Sequence, residues 1–178
     1  MRIRLAHADE WPQVLAVVRE AFAASEPRYA ELVKRIHAST DFIPQLSFVA
    51  ELDGALTGNL ILSKIPLHTA TGEVQARLLS EFAVLPEYRH HGVGAALIRN
   101  ALRGAERGMA SMVLAAGPPS YFQQFGFRRA SDLGVTPPSE DISNDDFQMV
   151  PLPQYDPVTD RGVTTLPAYF GESGFRWP

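Results

Sequence analysis

Residues 89–94 run Arg89-His90-His91-Gly92-Val93-Gly94, and Ala95-Ala96-Leu97 continue them as an apolar, helix-compatible stretch. A β-type run precedes them and stops at Pro86. Strand, short glycine loop and helix N-terminus together make a geometry that binds phosphates. The first amide N–H groups of a helix have no intrahelical partner, and the helix dipole adds partial positive charge there. Gly92 and Gly94 lack a Cβ, which lets an anion approach the backbone and permits positive φ. No Lys-Ser or Lys-Thr follows the glycines, so this is not a P-loop. Nor does it fit a dinucleotide fingerprint: Leu97 stands where a third glycine belongs, and residues 111–116 hold no acidic side chain for a ribose.

Other residues able to do chemistry flank this loop. Glu81 is a carboxylate at the end of the preceding strand, where it can act as a base or make a salt bridge. His90 and His91 lie inside the loop and read as its surface rather than as catalysts. Ser120 and Tyr121 bring hydroxyls from a later segment. Cysteine is absent, which excludes a thiol nucleophile, a disulfide and Cys-ligated zinc; no metal site is expected.

The elements that must position these groups follow from periodicity. Ile3 and Leu5 suggest a first strand. Asp9 is the expected N-cap of a helix in which Trp11, Val14, Leu15, Val18 and Phe22 recur at helical spacing. Residues 28–38 read as a second helix. Residues 47–52 and 55–67 are β-type runs around Asp53-Gly54, a two-residue hairpin signal. Val74, Ala76, Leu78, Ser80, Phe82 and Val84 alternate as the strand that ends at the loop. The centre of the chain is thus an antiparallel meander, followed by a helix over 92–104 and a buried strand over 109–115. Beyond residue 131, prolines interrupt short runs, of which 146–152 and 162–166 are candidate strands.

Composition sets bounds. The chain has 178 residues, 46% hydrophobic and 20% charged, with net charge −4. That suits one globular domain with a real core. The negative charge argues against non-specific nucleic-acid binding. No apolar run approaches the ~18 residues of a membrane span, and no secretory signal is visible, so the cytoplasm is the expected compartment.

The loop resembles the R/Q-x-x-G-x-G/A motif of the GNAT superfamily of acetyl-CoA-dependent N-acyltransferases. Arg89-His90-His91-Gly92-Val93-Gly94 matches it position for position, and Glu81-Phe82-Ala83-Val84-Leu85-Pro86-Glu87-Tyr88 is similar to the strand and turn that lead into it. Tyr121-Phe122-Gln123-Gln124-Phe125-Gly126-Phe127, about 30 residues on, resembles the family's closing aromatic helix with its Gly-Phe end. Phe147-Gln148-Met149-Val150-Pro151-Leu152, with Gly162 and Tyr169-Phe170, looks like the tail of a bacterial YhbS-type subgroup. The resemblance implies an α/β fold (mixed α+β) whose mostly antiparallel central sheet is splayed at the CoA site and flanked by helices. Residues 1–178 would form one domain, with 131–178 as a subgroup extension packed on it.

What the resemblance implies for the site is specific. Acetyl-CoA is the cofactor, and the amine of a small acceptor attacks it directly. The backbone of Phe82, Ala83 and Val84 would bond the pantetheine arm. The loop from Arg89 through His90, His91, Gly92, Val93 and Gly94 to Ala95 would wrap the pyrophosphate, with the Arg89 cation near it. Glu81 would be the base, directly or through a water. The family's usual acid is a Tyr four residues before the Gly of Gly-Phe; here that position is Phe122. Phe122 is counted among the cofactor contacts, although core packing accounts for it better. Tyr121 takes the acid role if the helix is rotated to suit; otherwise Ser120 or water must serve. Ala115-Ala116-Gly117-Pro118 lacks the Asn that many members use on the cofactor. The resemblance leaves room for a homodimer and implies no nucleic-acid or membrane partner. Because of Phe122, the alternative is a noncatalytic acyl-CoA-binding sensor or partner-binding module. A nucleotide-dependent oxidoreductase ranks third, for want of the ribose-binding acid.

Overall fold

A computed structural model describes residues 1–173. Strands β1 (Arg2–Leu5), β2 (Ser47–Leu52), β3 (Ala55–Thr69) and β4 (Gly72–Val84) form the expected antiparallel meander, in that order. At the β2–β3 turn Asp53 has φ +50° and Gly54 φ +81°, the two positive angles that a type I′ hairpin turn requires. Helices α1 (Trp11–Phe22) and α2 (Tyr29–Ala38) cover one face of this sheet, and α3 (Val93–Arg107) covers the other. Asp9 is not the cap of α1. It lies in a 3-10 turn over Ala8–Glu10, and Glu10 occupies the cap position. The Glu10 carboxylate accepts the His7 N–H (2.8 Å) and the Arg4 guanidinium (2.5 Å), and these two contacts hold the chain's entry into α1.

The alternation along β4 does not run unbroken. Ile61 pairs with Glu81 while its neighbour Leu62 pairs with Leu79, so Ser80 is an extra residue on β4, a β-bulge. Ala76 and Leu78 pack with the α1/α2 core; Phe82 and Val84 pack with the α3 core, and Ala83 returns to the first. A strict period of two would have kept 74 to 84 on one face and sent Glu81 toward α3. The bulge reverses the parity and turns Glu81 toward α1 and α2.

Beyond α3 the chain returns as β5 (Met112–Ala116), parallel to β4. The strand begins later than expected, because Met109 is exposed and has φ +57°. Then come α4 (Pro119–Phe122), β6 (Arg128–Arg129), β7 (Val135–Thr136), β8 (Phe147–Pro151), β9 (Gly162–Thr164) and α5 (Ala168–Glu172). β8 enters the sheet between β5 and β6, and β9 pairs with the far end of β3 and with β7. The C-terminal part therefore contributes strands to the same sheet rather than only covering it. β4 and β5 pair only at Arg77–Val113 and Leu78–Leu114. Past these pairs β4 is bonded on its β3 side alone and β5 on its β8 side alone. The sheet is mixed, mostly antiparallel, and opens between its two central parallel strands.

Candidate active site

The opening exposes an unpaired strand edge. From Leu79 to Val84 the β4 backbone groups that face β5 have no ladder partner, and an extended ligand laid along this edge would satisfy them. At its mouth stands the N-terminus of α3. The first amide used inside that helix is Ala96 N–H, donated to Gly92 carbonyl (3.0 Å). The amides of Val93, Gly94 and Ala95 have no acceptor within the helix, and no acidic side chain occupies the first turn.

The two loop glycines serve different purposes. Gly92 caps α3 at φ +81° with open space where a Cβ would be; its reason is backbone conformation. Gly94 is already helical. A Cβ there would stand 2.7 Å from the Tyr121 hydroxyl and 2.8 Å from Phe82 Cζ, so its reason is close approach. Phe82, Val84, Arg89, His90, Gly94 and Tyr121 line, with Phe22, a channel of about 300 Å³.

Arg89 is partly committed elsewhere. Its guanidinium donates to Val84 carbonyl (3.2 Å) and to Ala21 carbonyl in the last turn of α1 (2.7 Å). It ties the loop to the end of β4 and to a helix C-terminus that favours a cation, while still facing the channel. His90 is exposed and left-handed at φ +63°. His91 is exposed, and its Nδ1 lies 2.7 Å from Arg89 carbonyl oxygen.

The two neighbouring aromatics of α4 face different ways. α4 is a single turn that tightens into a 3-10 turn over Gln123–Phe125 and ends at Gly126 in a left-handed conformation. Spacing measured back from Gly126 on an ideal α-helix therefore misassigns the faces. Tyr121 is the residue that faces the channel, 6.1 Å from the Phe82 ring. Burial raises its phenol above the ordinary value, which keeps it protonated and able to donate. Phe122 does not line the channel, a correction to its place among the cofactor contacts. It is 5% exposed in the α3-side core, against Phe127 (5.3 Å) and Gly117. Ser120 is exposed. Phe122→Tyr would place a hydroxyl in that apolar core, at a cost of about 1–3 kcal/mol. The expected result is a lower melting temperature and no gain in turnover, read by thermal unfolding and thiol release. A faster enzyme would return the acid position to residue 122.

Glu81 is wholly buried on the α1/α2 face. Its Oε2 accepts a hydrogen bond from Asn59 Nδ2 (2.5 Å), and its Oε1 has no partner among the described residues. Burial pushes the carboxyl well above the usual carboxylate range, and the Asn59 hydrogen bond works against that rise. Tyr29, at the start of α2, closes over this region. Its hydroxyl donates to Ser80 carbonyl (3.3 Å), its ring meets Phe22 edge-on at 4.4 Å, and burial together with the Glu81 charge pushes its phenol up. Asn59 was not singled out in the sequence. The signal that could have found it is an Asn, a residue depleted in strands, beside the apolar run Leu60-Ile61-Leu62 of β3. Among the described residues, no cluster of three His, Cys, Asp or Glu could hold a metal, and no helix is long and apolar enough to cross a membrane.

A sheet opened along one strand edge, with a glycine-capped helix at its mouth, defines a binder of a long ligand that ends in phosphates. A buried carboxyl and a half-buried phenol flank the opened strand. Known proteins narrow the class. The model of the acetyltransferase (GNAT) domain matches residues 2–130, and the chain belongs to that family. It is similar to a GNAT family N-acetyltransferase (YhbS) from Escherichia coli solved in complex with CoA: TM-score 0.85 at 21% identity, covering 96% of this chain and 91% of that one. A GNAT family acetyltransferase from Brucella melitensis, solved in complex with acetyl-CoA, gives a TM-score of 0.74 at 24% identity over 95% and 97% of the two chains. A curated relative, the uncharacterized N-acetyltransferase YjhQ of Escherichia coli strain K12, is 27% identical over 110 residues. That match spans 61% of this chain and 61% of the relative.

Proposed function

We propose that this protein is an acetyl-CoA-dependent N-acetyltransferase that transfers the acetyl group directly to a small primary amine. The observation that carries this reading is the opening between β4 and β5, with Glu81 and Tyr121 on opposite faces of the opened strand. The residues fit the cofactor. The β4 edge at Phe82, Ala83 and Val84, which has no ladder partner on its β5 side, suits an amide-bearing arm, and the amides of Val93, Gly94 and Ala95, with no acceptor in α3, suit a pyrophosphate. Bound acetyl-CoA supplies an acetyl group activated as a thioester. Glu81 takes a proton from the ammonium, directly or through water, so that the amine attacks neutral. Tyr121 donates a proton to the leaving sulfur, and the second proton that the nitrogen sheds as the amide forms returns, through water, to the Tyr121 phenolate. The loop around Arg89, His90 and His91 fixes the register of the arm. The same reading makes the protein a bacterial, cytoplasmic enzyme, and takes residues 1–178 as one domain with 131–178 as its extension; the pairing of β8 with β5 and β9 with β3 supports that unity.

The test is release of CoA thiol from acetyl-CoA with a panel of spermidine, a dipeptide with a free N-terminus and an aminoglycoside. Turnover above hydrolysis with at least one amine is expected. Tight CoA binding with no acceptor-dependent release from any of them would favour the noncatalytic acyl-CoA binder. For the active pair, Tyr121→Phe is expected to lower kcat roughly 10²-fold, the low end of general acid contributions, with the KM for acetyl-CoA little changed. Unaltered kcat would remove Tyr121 from the chemistry and leave the proton to water.

A further inference from the structure

Asn59 sits at an inward position of β3 with 2% exposure, between buried Thr57 and Ile61. Asparagine is depleted in strands, and a largely apolar core offers it few partners. Its Nδ2 donates to Glu81 Oε2, while its Oδ1 and Glu81 Oε1 have no partner among the described residues. Two half-satisfied polar groups in one buried site are costly for a purely structural role. The arrangement makes sense if one oxygen of Glu81 must be held and the other left open.

We propose that Asn59 is the positioning residue for the proton acceptor of this enzyme, holding Glu81 Oε2 so that Oε1 is the lone-pair site for the acceptor's proton. The inference rests on the reading of Glu81 as the base. In the step, the N–H bond of the acceptor ammonium breaks, an O–H bond forms at Glu81 Oε1, and the nitrogen keeps the electron pair with which it attacks. The amide also suits the state that follows. With the proton on Oε1, Oε2 is a carbonyl oxygen and can keep accepting from Asn59 Nδ2. A hydrogen bond to the carboxylate is the stronger of the two, so Asn59 favours the charged form and restrains the upward shift that burial imposes. Burial and Asn59 from β3 set the Glu81 carboxyl, and the Glu81 charge in turn raises the phenol of Tyr29 on α2. Tyr29 bonds the Ser80 carbonyl of the bulge, so β3 and α2 both anchor the segment that aims Glu81.

Two variants test this. Asn59→Leu removes the donor at similar size. Asn59→Asp, nearly isosteric, places a second carboxyl against the first and guards against a misfolded leucine variant. The first readout needs no acceptor: infrared titration of the protonated-carboxyl band that disappears in Glu81→Gln. In both variants its midpoint should move to higher pH, by about one unit or more. The second readout is the pH profile of thiol release with whichever amine of the panel turns over. Its acid limb should move the same way, giving about tenfold lower kcat/KM below the limb and near-normal rates at high pH. CoA affinity should be unchanged. In a Glu81→Gln background Asn59→Leu should add nothing, whereas a general loosening of the core would lower rates further. Infrared midpoints and pH profiles that superimpose on wild type in both variants would overturn the positioning role. Wild-type rates in Glu81→Gln alone would instead overturn the base, and the infrared midpoint would still report whether Asn59 and Glu81 are coupled.

Discussion

Replacing Glu81 with Gln is expected to lower kcat/KM by about 10²–10⁴-fold, the usual contribution of a general base, and at the same time to make the protein more stable at neutral pH. Both effects have one cause. The carboxyl is fully buried with a single hydrogen-bond donor, and burial raises its pKa well above the ordinary value. A carboxyl that holds its proton more tightly folded than unfolded contributes fully below its unfolded pKa, about 4.3. That contribution is lost as pH rises through the folded value, because folding must then keep a charge out of water. Gln keeps the shape, can still meet Asn59, and carries no charge. The expected gain at pH 8 is about 1–2 kcal/mol, or some 2–4 °C per kcal/mol for a chain of this size, with a smaller gain at pH 5. The kinetic loss should be deepest at low pH and partly rescued at high pH, where more of the acceptor amine is already neutral. CoA affinity should stay near wild type. Thermal unfolding at the two pH values and kcat/KM from pH 6 to 9 decide it. Wild-type rates throughout would make Glu81 a structural group, and destabilisation at pH 8 would contradict the burial argument.

This double effect depends on a feature that no periodic pattern shows. The residues from Val74 to Val84 alternate so regularly that they imply one continuous pleat, and on that pleat Glu81 belongs with the α3 side. The extra residue at Ser80 costs the pattern nothing, because Leu79 and Phe82 are as apolar as the residues they replace on that face. A bulge between two apolar faces leaves no polar signature. The residue that depends on it does: Glu81 is charged at a position that either register would bury. The same holds for Asn59, a polar residue at an inward position of β3.

The parts that were legible have local causes. The Asp53-Gly54 turn, the amphipathic helices over the sheet and the loop ahead of α3 each rest on interactions within a few residues. The glycine loop between β4 and α3 was readable because strand end, proline, arginine and two glycines fall in one short stretch. Which aromatic faces the channel was harder to read. Tyr121 and Phe122 are equally aromatic, and the choice between them turns on how tightly α4 winds into Gln123–Phe125. The stretch beyond residue 131 was hardest. β9 is three residues long and is defined by strands far away in sequence, β3 and β7. Nothing within Gly162–Thr164 alone says where it will pair. The cap of α1 failed for a related reason. Asp9 has the right side chain, but Glu10 has two partners, one of them Arg4 on β1.

Gly94→Glu should abolish CoA binding, and Gly94→Ala should separate shape from charge. In the wild type the amides of Val93, Gly94 and Ala95 have no acceptor within α3, the feature proposed here to hold a phosphate. A glutamate in the first turn of a helix is favourable for the helix itself, so the variant should fold. Its carboxylate, however, brings to the channel mouth the same charge as the ligand, and its stem occupies the channel. Alanine tests the crowding alone. Its Cβ would meet the Tyr121 hydroxyl at 2.7 Å and Phe82 Cζ at 2.8 Å, both at the ends of side chains that can swing aside, though only into the channel. Calorimetry with CoA should show affinity falling about tenfold or less for alanine and more than 100-fold for glutamate, the latter worth over ~2.7 kcal/mol. Alanine should also lower kcat, because it displaces the residue proposed as the acid, and in a Tyr121→Phe background that further loss of kcat should shrink. Equal CoA affinity in wild type and Gly94→Glu would mean that the phosphates lie elsewhere. The close approach of Tyr121 and Phe82 would then be the sole reason for a glycine at position 94.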